Sequence, residues 1–139
     1  MRTRLVAAVI SAAALLATLP VSAHHSLNAE FDQKRTVTVK GMMTSIEWIN
    51  PHIFVYIDTM ENGAKTTWAV ETFPPNHMRS RYGLTKAVLG QGVVGTSKEV
   101  SVEMRPATNG KKLGWLEKIT YPEGNFIKFT VDAGSAEAR

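Results

Sequence analysis

The sequence predicts an all-β domain with one short helix, folded as an OB-like five-stranded barrel behind a cleaved N-terminal signal peptide. Three observations predict it. Beyond residue 34, β-branched and aromatic residues alternate with polar ones at period two over several runs. Asn-Gly pairs at 62–63 and 109–110 fall between such runs, as hairpin turns require. A helical stretch closed by glycine, residues 75–83, lies between the third and fourth runs, which is the element order of an OB barrel. A small open sheet with one helix packed on it would give a similar string.

The leader comes first. Arg2 and Arg4 form a basic start, Leu5 to Leu19 is apolar apart from Ser11 and Thr18, and Pro20 ends the run. Val21-Ser22-Ala23 places small residues where signal peptidase cuts, so residues 1–23 are expected to be removed and the product exported, to a bacterial periplasm. The apolar run is shorter than the roughly 20 residues a spanning helix needs, so no membrane anchor is expected after cleavage.

The chain has 16 basic and 12 acidic residues; losing Arg2 and Arg4 leaves 14 against 12, a charge of only +2. That balance argues against a nucleic-acid partner. Cysteine is absent, so no disulfide framework supports the fold despite an oxidising destination. About 116 residues must hold together by an apolar core alone, which suffices at this size.

Residues 24–33 read as an arm, pinned by Phe31. The barrel is expected over 34–131. Thr36 to Lys40 alternate, Gly41 interrupts, and the pattern resumes through Met43, Ile46 and Trp48, so a bulge or sharp bend is expected at the glycine. After Asn50-Pro51, Ile53, Val55 and Ile57 point one way, and His52, Phe54, Tyr56 and Asp58 the other. The partner strand runs from Lys65 to Phe73 and ends at Pro74-Pro75. Proline near the first turn and Gly83 at the end bound the helix, and Leu84 to Leu89 add a further turn. Val100 to Arg105, Leu113 to Tyr121 and Phe126 to Val131 are the remaining strands, and 132–139 is a flexible tail.

Four histidines occur: His24, His25, His52 and His77. A cut after Ala23 makes His24 the first residue, whose α-amine and ring Nδ1 can close a chelate on one first-row transition metal ion. A third nitrogen from a distant histidine would complete a T-shaped copper site. His25, as second residue, offers amine, amide and imidazole nitrogens instead. His24, His25 and His52 are therefore the candidate metal ligands, with copper the preferred ion; the plain alternatives are a solvated terminus and a rim histidine bonded to backbone. His77, beside Met78, is expected to face solvent. Glu71 could orient a histidine or be a rim charge. The five methionines after the leader lack the dense spacing of copper carriers and read as core filling. Phe54 and Tyr56 on an outer face could stack sugars or bases, although most barrel aromatics are core or edge cover. No hydrolase, zinc-protease or phosphate-loop motif appears.

Ala23-His24-His25-Ser26, Phe31-Asp32, Val39-Lys40-Gly41, Trp48-x-Asn50-Pro51-His52, Trp68-x-x-Glu71 and Arg105-Pro106-Ala107 resemble a family of small exported bacterial proteins, a domain of unknown function. The resemblance spans nearly all of the mature chain. It implies a periplasmic β-rich domain and supplies no activity. Where such proteins carry a Gly-Asp turn, this chain reads Gly95-Thr96-Ser97-Lys98. Three functions follow as expectations. The first is a periplasmic metal-binding protein for copper carriage or buffering. The second is a metal-free module whose barrel face or arm engages a periplasmic protein or glycan. The third is a copper-dependent oxidoreductase.

Overall fold

A computed structural model describes residues 27–129. The leader, His24, His25, the end of the last expected strand and the tail lie outside the described residues. In chain order the elements are α1 (Leu27–Glu30), β1 (Val37–Glu47), β2 (Ile53–Glu61), β3 (Ala64–Thr72), α2 (Pro75–Tyr82), α3 (Lys86–Gly90), β4 (Glu99–Pro106), β5 (Leu113–Thr120) and β6 (Phe126–Lys128). The strands lie in the order β3-β2-β1-β4-β5-β6, and β5 returns to pair with β3, which closes a five-stranded barrel. The expected fold class is what the chain adopts.

β1 is the hinge of the barrel. Its first half, Val37 to Met42, pairs with β4, and its second half, Met42 to Glu47, pairs with β2. Gly41 sits at the changeover, and a Cβ there would run into the Asp58 carbonyl of β2. Only glycine lets the two half-sheets meet this closely. The bulge itself falls two residues later, between Met43 and Ser45. The extra residue, Thr44, resets the alternation, so Met43 and Ile46 both face the core although they are three apart.

The β2–β3 hairpin turns on Asn62 and Gly63, both at positive φ (51° and 79°), with Glu61 opposite Ala64. Two successive left-handed residues are what a two-residue hairpin needs, and Asn-Gly supplies them at least cost. Ile53, Val55 and Ile57 enter the core as the alternation predicts. The barrel closes where β3 and β5 run parallel, Ala69 opposite Leu113, Val70 opposite Gly114 and Glu71 opposite Trp115.

Between β3 and β4, α2 begins with Pro75 at its first turn and ends at Gly83. The Gly83 N–H bonds the Arg79 carbonyl (3.1 Å) and the Leu84 N–H the Met78 carbonyl (3.0 Å), a Schellman closure. This helix lowers Met78 into the barrel, where it joins Met43 and Met104 in full burial. Those three methionines are core filling; Met42 and Met60 stand on the surface.

Phe31 is 1% exposed and forms a bridge with Ala107 just beyond β4. Backbone bonds from Asp32 to Pro106 and from Thr108 to Glu30, both 2.9 Å, lay this segment along the end of β4. One helical turn, α1, stands where the sequence offers no periodicity. Leu27 packs with Phe31, Ala107 and Trp115 in a small apolar cluster separate from the main core.

Candidate metal centre

Val70 faces the core, so its neighbour Glu71 points out of the barrel wall. Its register partner on β2 is Phe54, which makes His52, two residues earlier, its diagonal neighbour on the same face. On its other side the parallel pairing sets Trp115 directly opposite. Three distant stretches of chain thus meet on one patch of outer wall. Asn50-Pro51, joined by a cis peptide, leads the chain into it.

His52 Nδ1 and Glu71 Oε1 are hydrogen-bonded, with the carboxylate accepting. In the neutral ring this fixes the proton on Nδ1 and leaves the lone pair on Nε2. The His52 side chain is 35% exposed, whereas Glu71 is only 7% exposed as a residue. The carboxylate is therefore held inside while the imidazole reaches toward solvent. Carboxylate-to-imidazole bonding of this kind orients histidines that ligate metals and raises their basicity. Of the two expectations for Glu71, the partner of a histidine is the one realised.

Aromatic rings wall the patch. Trp115 stands edge-on to His52 (6.0 Å between centroids, 83°), to Phe73 (5.1 Å, 90°), and tilted to Phe31 (5.9 Å). Trp115 is thereby the piece that joins the His52 patch to the segment carrying Phe31 and Leu27. Sequence reasoning gave Trp115 no site role, because its neighbourhood depends on strand closure rather than on adjacent residues.

His77 corrects an expectation. It does not face solvent: its ring stacks on Phe73 (4.6 Å, 25°) and lies against Tyr82 (5.8 Å). Its Nε2 is buried without a hydrogen-bond partner among the described residues. Burial pushes its pKa below the ordinary value, and the Arg81 guanidinium adds to this. The turn of α2 that buries Met78 also brings the His77 ring against Phe73 and Tyr82.

His24 and His25 lie outside the described residues. Among the described residues, no three His, Asp or Glu side chains come together as a metal cage. Among the described residues, His52 Nε2 is the ring nitrogen of this patch that Glu71 does not engage.

Comparison with known proteins gives one match: a family model described as a family of unknown function, DUF6152, covers residues 11–117. No curated protein matches, and no solved structure matches. The matched span includes His52, Glu71 and Trp115, and with it most of the chain: this protein is a member of the DUF6152 family.

Proposed function

We propose that this is a periplasmic copper-binding protein, used for carriage or buffering, in which the mature N-terminus and His52 share one ion. The observation that carries the reading is the His52–Glu71 pair, an imidazole turned by a shielded carboxylate so that Nε2 is free to donate. A second observation supports it. Leu27 belongs to the apolar cluster of Trp115, whose ring abuts His52. His24 is three residues from Leu27, and three residues reach roughly 10 Å at most. His24 and His25 thus precede, by two or three residues, the point where the chain is tied to the cluster beside the patch. Export rests on the leader of residues 1–23, and the assignment of copper on the nitrogen-rich donor set.

The test compares the naturally processed protein with a form carrying one additional alanine before His24. Both are titrated with Cu(II) and followed by electron paramagnetic resonance. Tight binding by the processed form alone is the expected result. Equal, weak binding by both would overturn the reading. Binding also fades below about pH 6, where protons compete for the imidazoles and the amine.

One observation favours a metal-free module instead. Phe54 and Tyr56 stack on the outer face of β2 (6.5 Å, 27°), half-exposed, as a platform for a sugar or peptide. Saturable glycan binding unaffected by chelator would support it.

A further inference from the structure

We propose a second binding site on the wall formed by β1, β4, β5 and β6: a strip that takes an acidic polysaccharide, a chain of uronic acid sugars. It uses none of the residues of the His52 patch and stands apart from the copper reading. The strip is set by register. Lys40 of β1 lies opposite Ser101 of β4, Ser101 opposite Thr120 of β5, and Thr120 opposite Phe126 of β6. Val100, Val102 and Ile119 are buried, so Ser101 and Thr120 beside them point out of the barrel. The row crosses four strands, about 14 Å at the usual strand separation, which is the length of a trisaccharide.

Phe126 is 55% exposed and is the one exposed aromatic among the described residues. Its ring is held in place. The Lys118 ammonium lies 5.1 Å from the ring centroid, and the Glu103 carboxylate accepts from that ammonium at 2.9 Å. Glu103, Lys118 and Lys128 form the neighbouring row of the same wall, again in direct register. A ring fixed from one side has less freedom to lose when a ligand stacks on it. The C–H face of a pyranose suits such a ring, and the hydroxyls of Ser101 and Thr120 can answer those of the sugar.

Charge selects an acidic sugar over a neutral one. The two rows carry three ammoniums, Lys40, Lys118 and Lys128, against the one carboxylate of Glu103. Lys118 is already paired, whereas Lys40 and Lys128 have no ion-pair partner among the described residues. These two lie on the outermost strands of the wall, which matches charges spread along a chain rather than clustered in one phosphate. The β2–β3 hairpin, by contrast, carries Asp58, Glu61 and Glu71, and its field turns an anion away. A single ring beside a row of hydroxyls is no apolar wedge for a bilayer, so a sugar chain fits this wall better than a lipid surface does.

The experiment titrates the naturally processed protein, by calorimetry, with oligogalacturonate, with the same oligomer after reduction of its carboxyls, and with phosphatidylglycerol vesicles. Saturable binding of the acidic oligomer is expected, weakening as salt is added and indifferent to a metal chelator. The reduced oligomer should bind at least about tenfold more weakly, and Phe126→Ala should cost the acidic oligomer about tenfold. Lys40→Gln and Lys128→Gln should each cost about threefold. Phe54→Ala, on the other wall, should keep the parent affinity. All these side chains lie at the surface, so thermal unfolding of each variant should match the parent and separate lost binding from lost fold. No binding of the acidic oligomer, equal binding of the reduced one, an unchanged affinity in Phe126→Ala, an equal loss in Phe54→Ala, or binding to the vesicles alone would each overturn the proposal. None of these outcomes bears on the Cu(II) titration, so the two readings fail separately.

Discussion

The β2–β3 ladder carries a shielded carboxylate toward each end, and the two are put to different use. Near the hairpin, Asp58 is 9% exposed and is bonded by the Lys65 ammonium (2.6 Å) and the Thr67 hydroxyl (2.6 Å). Glu61, close by, accepts from Lys112 (2.5 Å) and the Trp68 indole N–H (2.8 Å). These fixed cations and donors hold both carboxyls below the usual carboxylate range, Lys65 first for Asp58 and Lys112 first for Glu61. At the other end Glu71, as well covered as Asp58, is bonded to the imidazole of His52. A lysine neutralises its partner and has no lone pair left to offer. An imidazole bonded through Nδ1 still has Nε2. The same strand pair thus builds a closed ion pair at one end and an oriented donor at the other.

Four substitutions sharpen or break that comparison. Phe31→Ala should have the largest effect, because it empties a fully buried aromatic position beside Trp115. A loss of about 3 kcal/mol in denaturant unfolding is expected, with weaker Cu(II) binding from loss of the anchored segment. Unchanged stability would show that the segment is not part of the cooperative unit.

His52→Ala should lower Cu(II) affinity by at least about 100-fold, more than an outer partner costs. Asp58→Asn, at the closed end, should leave that affinity unchanged. Equal losses in calorimetric titration would erase the distinction between the two ends.

His77→Phe changes a pH dependence. The folded-state pKa of His77 is depressed, so below about pH 6.5 the unfolded chain takes up the proton first. Stability then falls as pH falls, until the folded form titrates too. The substitution should remove that slope below about pH 6.5 in thermal unfolding. A slope unchanged from the parent would place its source elsewhere.

The smallest effect belongs to Asp58 in acid. Its folded pKa is lowered, so its stabilisation is present above the ordinary carboxylate value and is lost as pH falls through the lower one. Asp58→Asn should lower stability slightly at neutral pH and flatten the unfolding curve below about pH 4, so that variant and parent converge in acid.

Much of this molecule was legible in its residues. The alternation of Ile53, Val55 and Ile57, the Asn62-Gly63 turn and the Pro75 and Gly83 bounds of the helix each gave their element directly. Gly41 marked the changeover in β1, although the bulge lies at Thr44, since a bulge depends on which partner strand is short by one residue. The candidate site was half legible. His52 and Glu71 were both marked, but His77 was read to the wrong environment and Trp115 was given no role.

By itself, then, the sequence determined faces, turns and caps, because these follow from the period of side chains along one strand and from the φ that Asn, Gly and Pro favour. The tertiary structure alone decided that β5 closes on β3 in parallel, bringing Trp115 beside Glu71. It also decided that α2 docks with His77 stacked on Phe73. Such contacts come from barrel closure between residues far apart in the chain, and local periodicity says which way a side chain points without saying what it will meet.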